Sequence, residues 1–212
     1  MQLIEIFVYL GIVAAGVSGA VVGIRKQLDL FGVTSLCVAT SLGGGIVRDL
    51  LIGVIPPIAF IEPMYFVASL TAGLLTWIFY PYVSRFNSLL MVSDAIGLGV
   101  FTAVGANAAI THGFTEPFIV VSMALITGIG GGVMRDVFAK EIPYVFRKEV
   151  YAVASILGAC VLLVTYQVLP VTFSMYICLA VTFAVRVLSV IFSINFPVYQ
   201  LKGASGSKRQ GG

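Results

Sequence analysis

Residues 41–56 read SLGGGIVRDLLIGVIP and residues 128–143 read GIGGGVMRDVFAKEIP. At this offset of 87 residues, seven of the sixteen positions are identical: Gly43/Gly130, Gly44/Gly131, Gly45/Gly132, Arg48/Arg135, Asp49/Asp136, Ile55/Ile142 and Pro56/Pro143. After a one-residue gap the likeness continues, Val67-Ala68-Ser69 against Val153-Ala154-Ser155. The chain therefore carries an internal repeat, and the repeated element places a glycine triplet and an Arg-Asp pair inside apolar sequence.

The surrounding sequence sets the class. Of 212 residues, 59% are hydrophobic and 10% are charged, against a charged fraction of about 25% in soluble domains. A soluble domain of this size could not hide so much apolar surface, so an ordinary soluble enzyme, a nucleic-acid binder and a disordered chain are excluded. A span needs about 20 apolar residues. Seven such runs stand between polar breaks, at about 3–24, 32–54, 63–83, 88–110, 117–139, 149–168 and 171–195. The expected fold is an all-α integral membrane protein of seven transmembrane helices. It consists of two inverted three-helix repeats, 1–86 and 87–169, and a seventh helix over 170–197, with a flexible polar tail at 198–212. Three spans per repeat is an odd number, so the second copy runs through the membrane in the opposite sense to the first.

Basic residues orient the chain. Arg25, Lys26, Arg85, Lys140, Arg147, Lys148, Lys202, Lys208 and Arg209 all fall in loops or the tail on one side, and none falls in a loop on the other. Positive charge marks the cytoplasmic side, which puts the N-terminus outside and the C-terminus inside. Cys37, Cys160 and Cys178 lie in apolar runs, and their odd number with a single histidine argues against a disulfide framework or a metal site. The start, MQLIEIF, lacks a basic leader and reads as a first span.

Inverted repeats with interrupted helices are a transporter pattern, the path lying where the copies meet. Each glycine weakens a helix by about 1 kcal/mol relative to alanine, so the second and fifth spans are expected to be broken at GGG. Ser41, Gly45 and Arg48 share one helical face, as do Gly128, Gly132 and Arg135. Close packing through small residues is the alternative; buried charge argues for a pathway. Ser41 and Thr127 flank the triplets as pore candidates. Arg48-Asp49 and Arg135-Asp136 read as structural clamps or as pore-facing charges, and both roles can hold. Asp94 reads as a cation-attracting site at the inner mouth or as a partner for Arg186 or another basic residue. Arg186 lies mid-span, where an unpaired cation costs at least about 2.5 kcal/mol, and is expected to pair within the bundle. Ser18, Thr40, Thr102 and Asn107 read as helix-packing polar groups, His112 as a solvated outer-loop residue, and Gly19-xxx-Gly23 as a tight helix contact. Tyr80, Tyr82, Tyr144, Phe146, Tyr151 and Tyr199 read as an interfacial belt. Arg25-Lys26 and Arg147-Lys148 could hold anionic lipid head groups, and a general positive-inside role explains them equally. No GK[ST] follows the glycines, which disfavours nucleotide binding. There is no HExxH and no nucleophile–base pair, so no enzyme is expected.

The paired GGGxxRD elements on spans two and five, the three-plus-three-plus-one arrangement, the outside N-terminus and Lys148-Glu149-Val150 resemble the TRIC family, the trimeric intracellular cation channels, and in particular their bacterial and archaeal members. The resemblance covers about residues 3–195. It implies a homotrimer in the cell membrane with a pore in each subunit, lined by kinked second and fifth helices and conducting monovalent cations, chiefly potassium. On this resemblance Gly43, Gly44, Gly45, Gly130, Gly131 and Gly132 are hinge glycines, and Lys148, Glu149 and Val150 are the KEV signature. No cofactor is implied; potassium or sodium ions are permeants, with membrane lipid a further ligand and no soluble partner or nucleic acid. Prokaryotic relatives have also been described as a glycine-transporter domain, so a secondary transporter of a small solute such as glycine stands as the alternative. The short polar tail departs from the longer basic tails of animal members and weakens any expectation of tail-based regulation. Selectivity itself does not follow from the residues, because the two Arg-Asp pairs sum to zero charge.

Overall fold

A computed structural model of the chain describes residues 3–83, 88–147, 150–192 and 194. Lys148 and Glu149 lie outside the described residues, as does the tail. Among the described residues the elements are α1 (Leu3–Arg25), α2 (Leu30–Leu51), α3 (Ile58–Ile61), α4 (Pro63–Val83), α5 (Leu89–Thr111), α6 (Pro117–Phe138), α7 (Tyr144–Arg147), α8 (Val150–Thr165) and α9 (Val171–Ile191).

Helix ends follow local chemistry. Asp29 caps α2, its Oδ1 accepting from the Gly32 N–H at 2.7 Å. Glu116 stands before Pro117 at the start of α6, where proline loses no intrahelical bond. Pro170 precedes α9, and its fixed backbone makes a sharp turn after Thr165. Gly53 and Gly113, with φ of 81° and 85°, take the left-handed backbone just beyond α2 and α5.

Among the described residues, six helices are long and apolar enough to cross a membrane. The sixth expected span is α8, which has only 16 residues, about 24 Å at 1.5 Å per residue. The expected spans missed two single-turn helices, α3 and α7. Both follow an Ile-Pro and sit in the loops after the repeated motif.

The chain does not leave the helix at either glycine triplet. Helix α2 runs unbroken through Gly43–Gly45, and α6 through Gly130–Gly132. The expectation of a break at these points is therefore corrected. Intrinsic propensity is a weak prior, and in an apolar solvent an unpaired peptide group costs several kcal/mol, so the backbone keeps its helical bonds. The glycines instead allow α2 and α6 to cross with their backbones in contact. A Cβ on Gly44 would lie 2.5 Å from the Thr127 carbonyl oxygen and 3.2 Å from the Gly131 nitrogen. A Cβ on Gly131 would strike the Thr40 carbonyl outright.

Around this crossing, α1 packs on α2, α4 and α5, while α5 packs on α6, α8 and α9. Small residues make the approach possible: Gly97, Gly99, Ala103, Gly105, Ala106 and Ala109 are all buried on α5. Gly19 faces Cys37 and Leu36 of α2, and Gly23 faces Val33, so the Gly19-xxx-Gly23 contact lies within the subunit.

Candidate functional site

The repeated motif builds the same unit twice. In the first copy, Arg48 donates from Nε at 2.9 Å and from Nη2 at 2.6 Å to Asp49 Oδ1. The other oxygen, Asp49 Oδ2, accepts from the Ile58 N–H at 2.9 Å, at the first residue of α3. In the second copy, Arg135 Nε donates to Asp136 Oδ1 at 2.8 Å, and Asp136 Oδ2 accepts from the Tyr144 N–H at 2.7 Å, at the first residue of α7. Each aspartate thus ties its own helix to the short helix that follows, and each arginine neutralises that aspartate. All four side chains are buried, with residue exposures of 6, 1, 4 and 7% for Arg48, Asp49, Arg135 and Asp136. An isolated buried charge is expensive, and the adjacent pair removes that cost locally.

The two nodes differ in what else they hold. Arg135 Nη1 also donates to Asp94 Oδ1 of α5 at 2.6 Å and to Ser18 Oγ of α1. Tyr151 of α8 lines the same small pocket as Asp94. Asp94 is therefore the partner of Arg135, not of Arg186. Arg186 instead lies between two rings, its guanidinium carbon 4.7 Å from the Tyr144 centroid and 4.9 Å from that of Tyr151. Among the described residues its Nε is buried without a hydrogen-bond partner and no carboxylate pairs with it, so cation–π contact takes the place of the expected ion pair there. Tyr144 and Tyr151 consequently leave the interfacial belt: Tyr151 is buried, and both rings serve this inner cluster.

The Arg48–Asp49 node opens onto space. A cavity of about 190 Å³ is lined by Ser41, Gly45, Arg48 and Asp49 of α2, Tyr65 of α4, Asn107 of α5 and Thr127 of α6, with apolar walls from α1 and α5. The shared face of Ser41, Gly45 and Arg48 thus lines a single cavity. Ser41 Oγ donates to the Cys37 carbonyl at 2.7 Å and pairs with Ser69 Oγ at 3.0 Å; Thr127 Oγ1 donates to the Met123 carbonyl at 2.6 Å. Both hydroxyls keep acceptor lone pairs. Thr111 and His112, both exposed, form the rim of the cavity.

On the far side of the α2–α6 crossing, a pocket of about 10 Å³ is lined by Ser18, Thr40, Asp94, Gly128, Gly131, Gly132 and Tyr151, among others. Phe101 of α5 lines both spaces. The Arg135 cluster fills the space on its side of the crossing, whereas the Arg48 side is open.

Comparison with known proteins agrees with this architecture. The family model described as Glycine transporter matches residues 5–81 and 91–167, one stretch in each repeat. The UPF0126 inner membrane protein YadS of Escherichia coli K12 is 33% identical over 194 residues, which cover 90% of this chain and 93% of YadS. A UPF0126 membrane protein of Deinococcus radiodurans is 40% identical over 152 residues, 71% of this chain and 70% of its own. A solved TRIC cation channel, studied for the basis of its conductance, superposes with a TM-score of 0.87 at 33% identity, covering 95% of this chain and 100% of that one. The chain belongs to the TRIC family. A second TRIC structure, the trimeric intracellular cation channel orthologue from Rhodobacter sphaeroides, superposes at 0.85 with 29% identity over 92% of this chain and 100% of that one.

In this TRIC chain, Ser41, Gly45, Arg48, Asp49 and Thr127, all singled out in the sequence, line the larger space, and Gly131, Gly132 and Asp94 the smaller, whereas Gly43, Gly44 and Gly130 line neither. Val150 opens α8, half-buried. The sequence reading missed Tyr65 and Tyr151 as site residues. Their signal was present: Tyr65-Phe66-Val67-Ala68-Ser69 matches Tyr151-Ala152-Val153-Ala154-Ser155 at three residues besides serine, extending the aligned VAS triplet back to a shared tyrosine.

Proposed function

We propose that this multi-pass membrane protein is a monovalent cation channel, chiefly for potassium, with the pore inside each subunit. The path enters the outer cavity, passes beside the α2–α6 crossing at Ser41 and Thr127, and leaves through the Asp94–Arg135 cluster. The carrying observation is the pair of spaces on either side of that crossing, one open and one nearly filled: a conduit closed at its inner half. The relatives whose structures superpose on this chain are cation channels.

Charge supports a cation. The wall charges cancel within each Arg-Asp pair. The outer loops carry Glu62 and Glu116 and no lysine or arginine. Glu5 and Glu62 lie within electrostatic reach of Tyr65 in the cavity wall. An acidic rim over a low-dielectric opening raises the local cation concentration. Carbonyls and hydroxyls at the crossing would replace part of the ion's hydration. We place the N-terminus outside and the C-terminus in the cytoplasm of the cell membrane, read the two repeats as inverted, and assign a homotrimer by analogy with the trimeric relative. Bound lipid between subunits is compatible with the exposed apolar faces; no cofactor enters the reading.

A second reading is a secondary transporter of a small solute such as glycine. A cavity open on one side and closed on the other is also the shape of one state of an alternating-access cycle, and the matching family model bears that description. The test is the reversal potential of purified protein in a planar bilayer under asymmetric potassium chloride, then potassium against sodium. Discrete currents reversing near the potassium equilibrium potential support the channel. Silence over a wide voltage range, with saturable glycine uptake into liposomes, overturns it in favour of the transporter.

A further inference from the structure

The inner node shows what chemistry the outer cavity lacks. The two matched stretches begin at residues 5 and 91, an offset of 86. At that offset α1 and α5 align Gly11/Gly97, Gly19/Gly105, Ala20/Ala106 and Ile24/Ile110. The same register sets Val8 against Asp94, Val104 against Ser18 and Tyr65 against Tyr151, and the motif sets Arg48 against Arg135. In the inner half, Arg135 donates to both Asp94 and Ser18, and Tyr151 lines the same small pocket as those two side chains. In the outer half, the four counterparts Val8, Val104, Tyr65 and Arg48 all line the 190 Å³ cavity. The arginine and the tyrosine are retained; the carboxylate and the hydroxyl are replaced by valines, and space remains.

We infer that the outer cavity binds a small carboxylate from the external side, anchored on Arg48 and Tyr65, in the place that Asp94 fills in the inner half. Arg48 is 6% exposed, and among the described residues its guanidinium hydrogen-bonds only to Asp49. Arg135, by contrast, satisfies two carboxylates and a hydroxyl. A guanidinium fork with a free edge matches a carboxylate. The cavity has room for several waters at about 30 Å³ each, enough for acetate or glycine. Asn107 lines the same cavity, and its Oδ1 is buried with no hydrogen-bond partner among the described residues. An acceptor of this kind favours a ligand that also carries an ammonium group, so a short amino acid binds better than a simple carboxylate. A ligand seated there stands in the proposed ion path and reduces current from the outside. Only that consequence rests on the channel reading; the binding does not.

The test is calorimetric titration of the full chain in nanodiscs with glycine, acetate, methylammonium and chloride. Glycine and acetate are expected to saturate one site per chain, glycine more tightly, while methylammonium gives no saturable heat. Val8→Asp places an internal carboxylate against Arg48 and should weaken glycine binding at least tenfold, whereas Val8→Thr, of similar volume and uncharged, keeps it. If Val8→Asp does not fold, Val104→Phe fills the cavity from the other wall and should weaken binding comparably. The inference is overturned by folded wild-type protein that binds neither carboxylate, by chloride binding as tightly as acetate, or by a folded Val8→Asp or Val104→Phe that binds glycine like wild type. A silent bilayer with intact glycine binding sinks the channel alone. Cation current without binding sinks this site alone.

Discussion

The Arg48–Asp49 node and the Arg135–Asp136 node are written by the same seven-residue motif, GGGxxRD, yet one borders open space and the other is sealed. Their local geometry is nearly the same: arginine to the Oδ1 of the next residue, and Oδ2 to the first N–H of a short helix. The difference comes from outside the motif. Asp94 and Ser18 close around Arg135, and Val8 and Val104 stand back from Arg48. The repeat therefore supplies two equivalent clamps, and the neighbouring helices α1 and α5 decide which of them borders open space.

Breaking the sealed node should have the largest effect. Arg135→Gln leaves Asp94 and Asp136 buried with no cation, at a cost of about 3–5 kcal/mol, the usual penalty for orphaning a buried charge. Arg48→Gln orphans one carboxylate beside a cavity that can admit water, so it should cost less. Thermal unfolding in detergent should rank Arg135→Gln well below Arg48→Gln. Equal losses would mean that Asp94 contributes nothing to the inner seal. The double variant Arg135→Gln with Asp94→Asn should recover part of the stability and open a path from the inner side, read as raised basal current.

The glycine crossing comes next. Gly131→Ala pushes a methyl into the Thr40 carbonyl, an overpacking cost of about 1–3 kcal/mol, and Gly131→Leu should abolish flux. Gly45→Ala meets nothing nearer than Arg48 Nη2 at 3.8 Å and gains helix propensity of about 1 kcal/mol. Melting temperature should fall for Gly131→Ala and hold or rise for Gly45→Ala. A fall in both would point to a required flexible hinge and away from close packing.

These contrasts mark how far the sequence could be read. The number of apolar runs, the repeat and the face shared by Ser41, Gly45 and Arg48 were legible because they depend on composition and on the 3.6-residue period. The continuity of α2 and α6 through three glycines was not, because local propensity favours a break and only the facing backbone shows that the glycines are there for contact. The partner of Asp94 was also hidden. It sits 41 residues from Arg135, and no spacing rule chooses between Arg135 and Arg186 across helices. The aromatic bracket around Arg186 was read as membrane belt because Tyr144 and Tyr151 fall near helix ends; only packing turns them inward.

A third variant pair separates the aspartates' clamp role from their charge. Asp49→Asn and Asp136→Asn each lose a charge-assisted bond to a helix N–H, worth about 1.5–3 kcal/mol. Each also leaves its arginine with one carboxylate fewer. Arg135 still has Asp94, whereas Arg48 has no second carboxylate among its described partners. Asp49→Asn should therefore destabilise more than Asp136→Asn, reversing the order of the arginine variants. That reversal is the signature of one node with a spare counter-ion and one without. If the order does not reverse, the α3 and α7 caps dominate and the counter-ion count is irrelevant.

The smallest effect sharpens the comparison at the outer rim. Glu62 is exposed and lies within reach of Tyr65 in the cavity wall, so its charge can gather cations without holding any part of the fold. Glu62→Gln should leave the melting temperature unchanged. Screening then separates a rim effect from a structural one, because the Debye length is about 30 Å at 0.01 M salt and about 3 Å at 1 M. Inward potassium current should fall, by a factor of about two or less, in 0.01 M salt, and match wild type in 1 M. A reduction that persists at 1 M would mean that Glu62 touches the ion directly. No reduction at either concentration would mean that cations do not enter past this rim, and the open outer half would then need an occupant other than a cation.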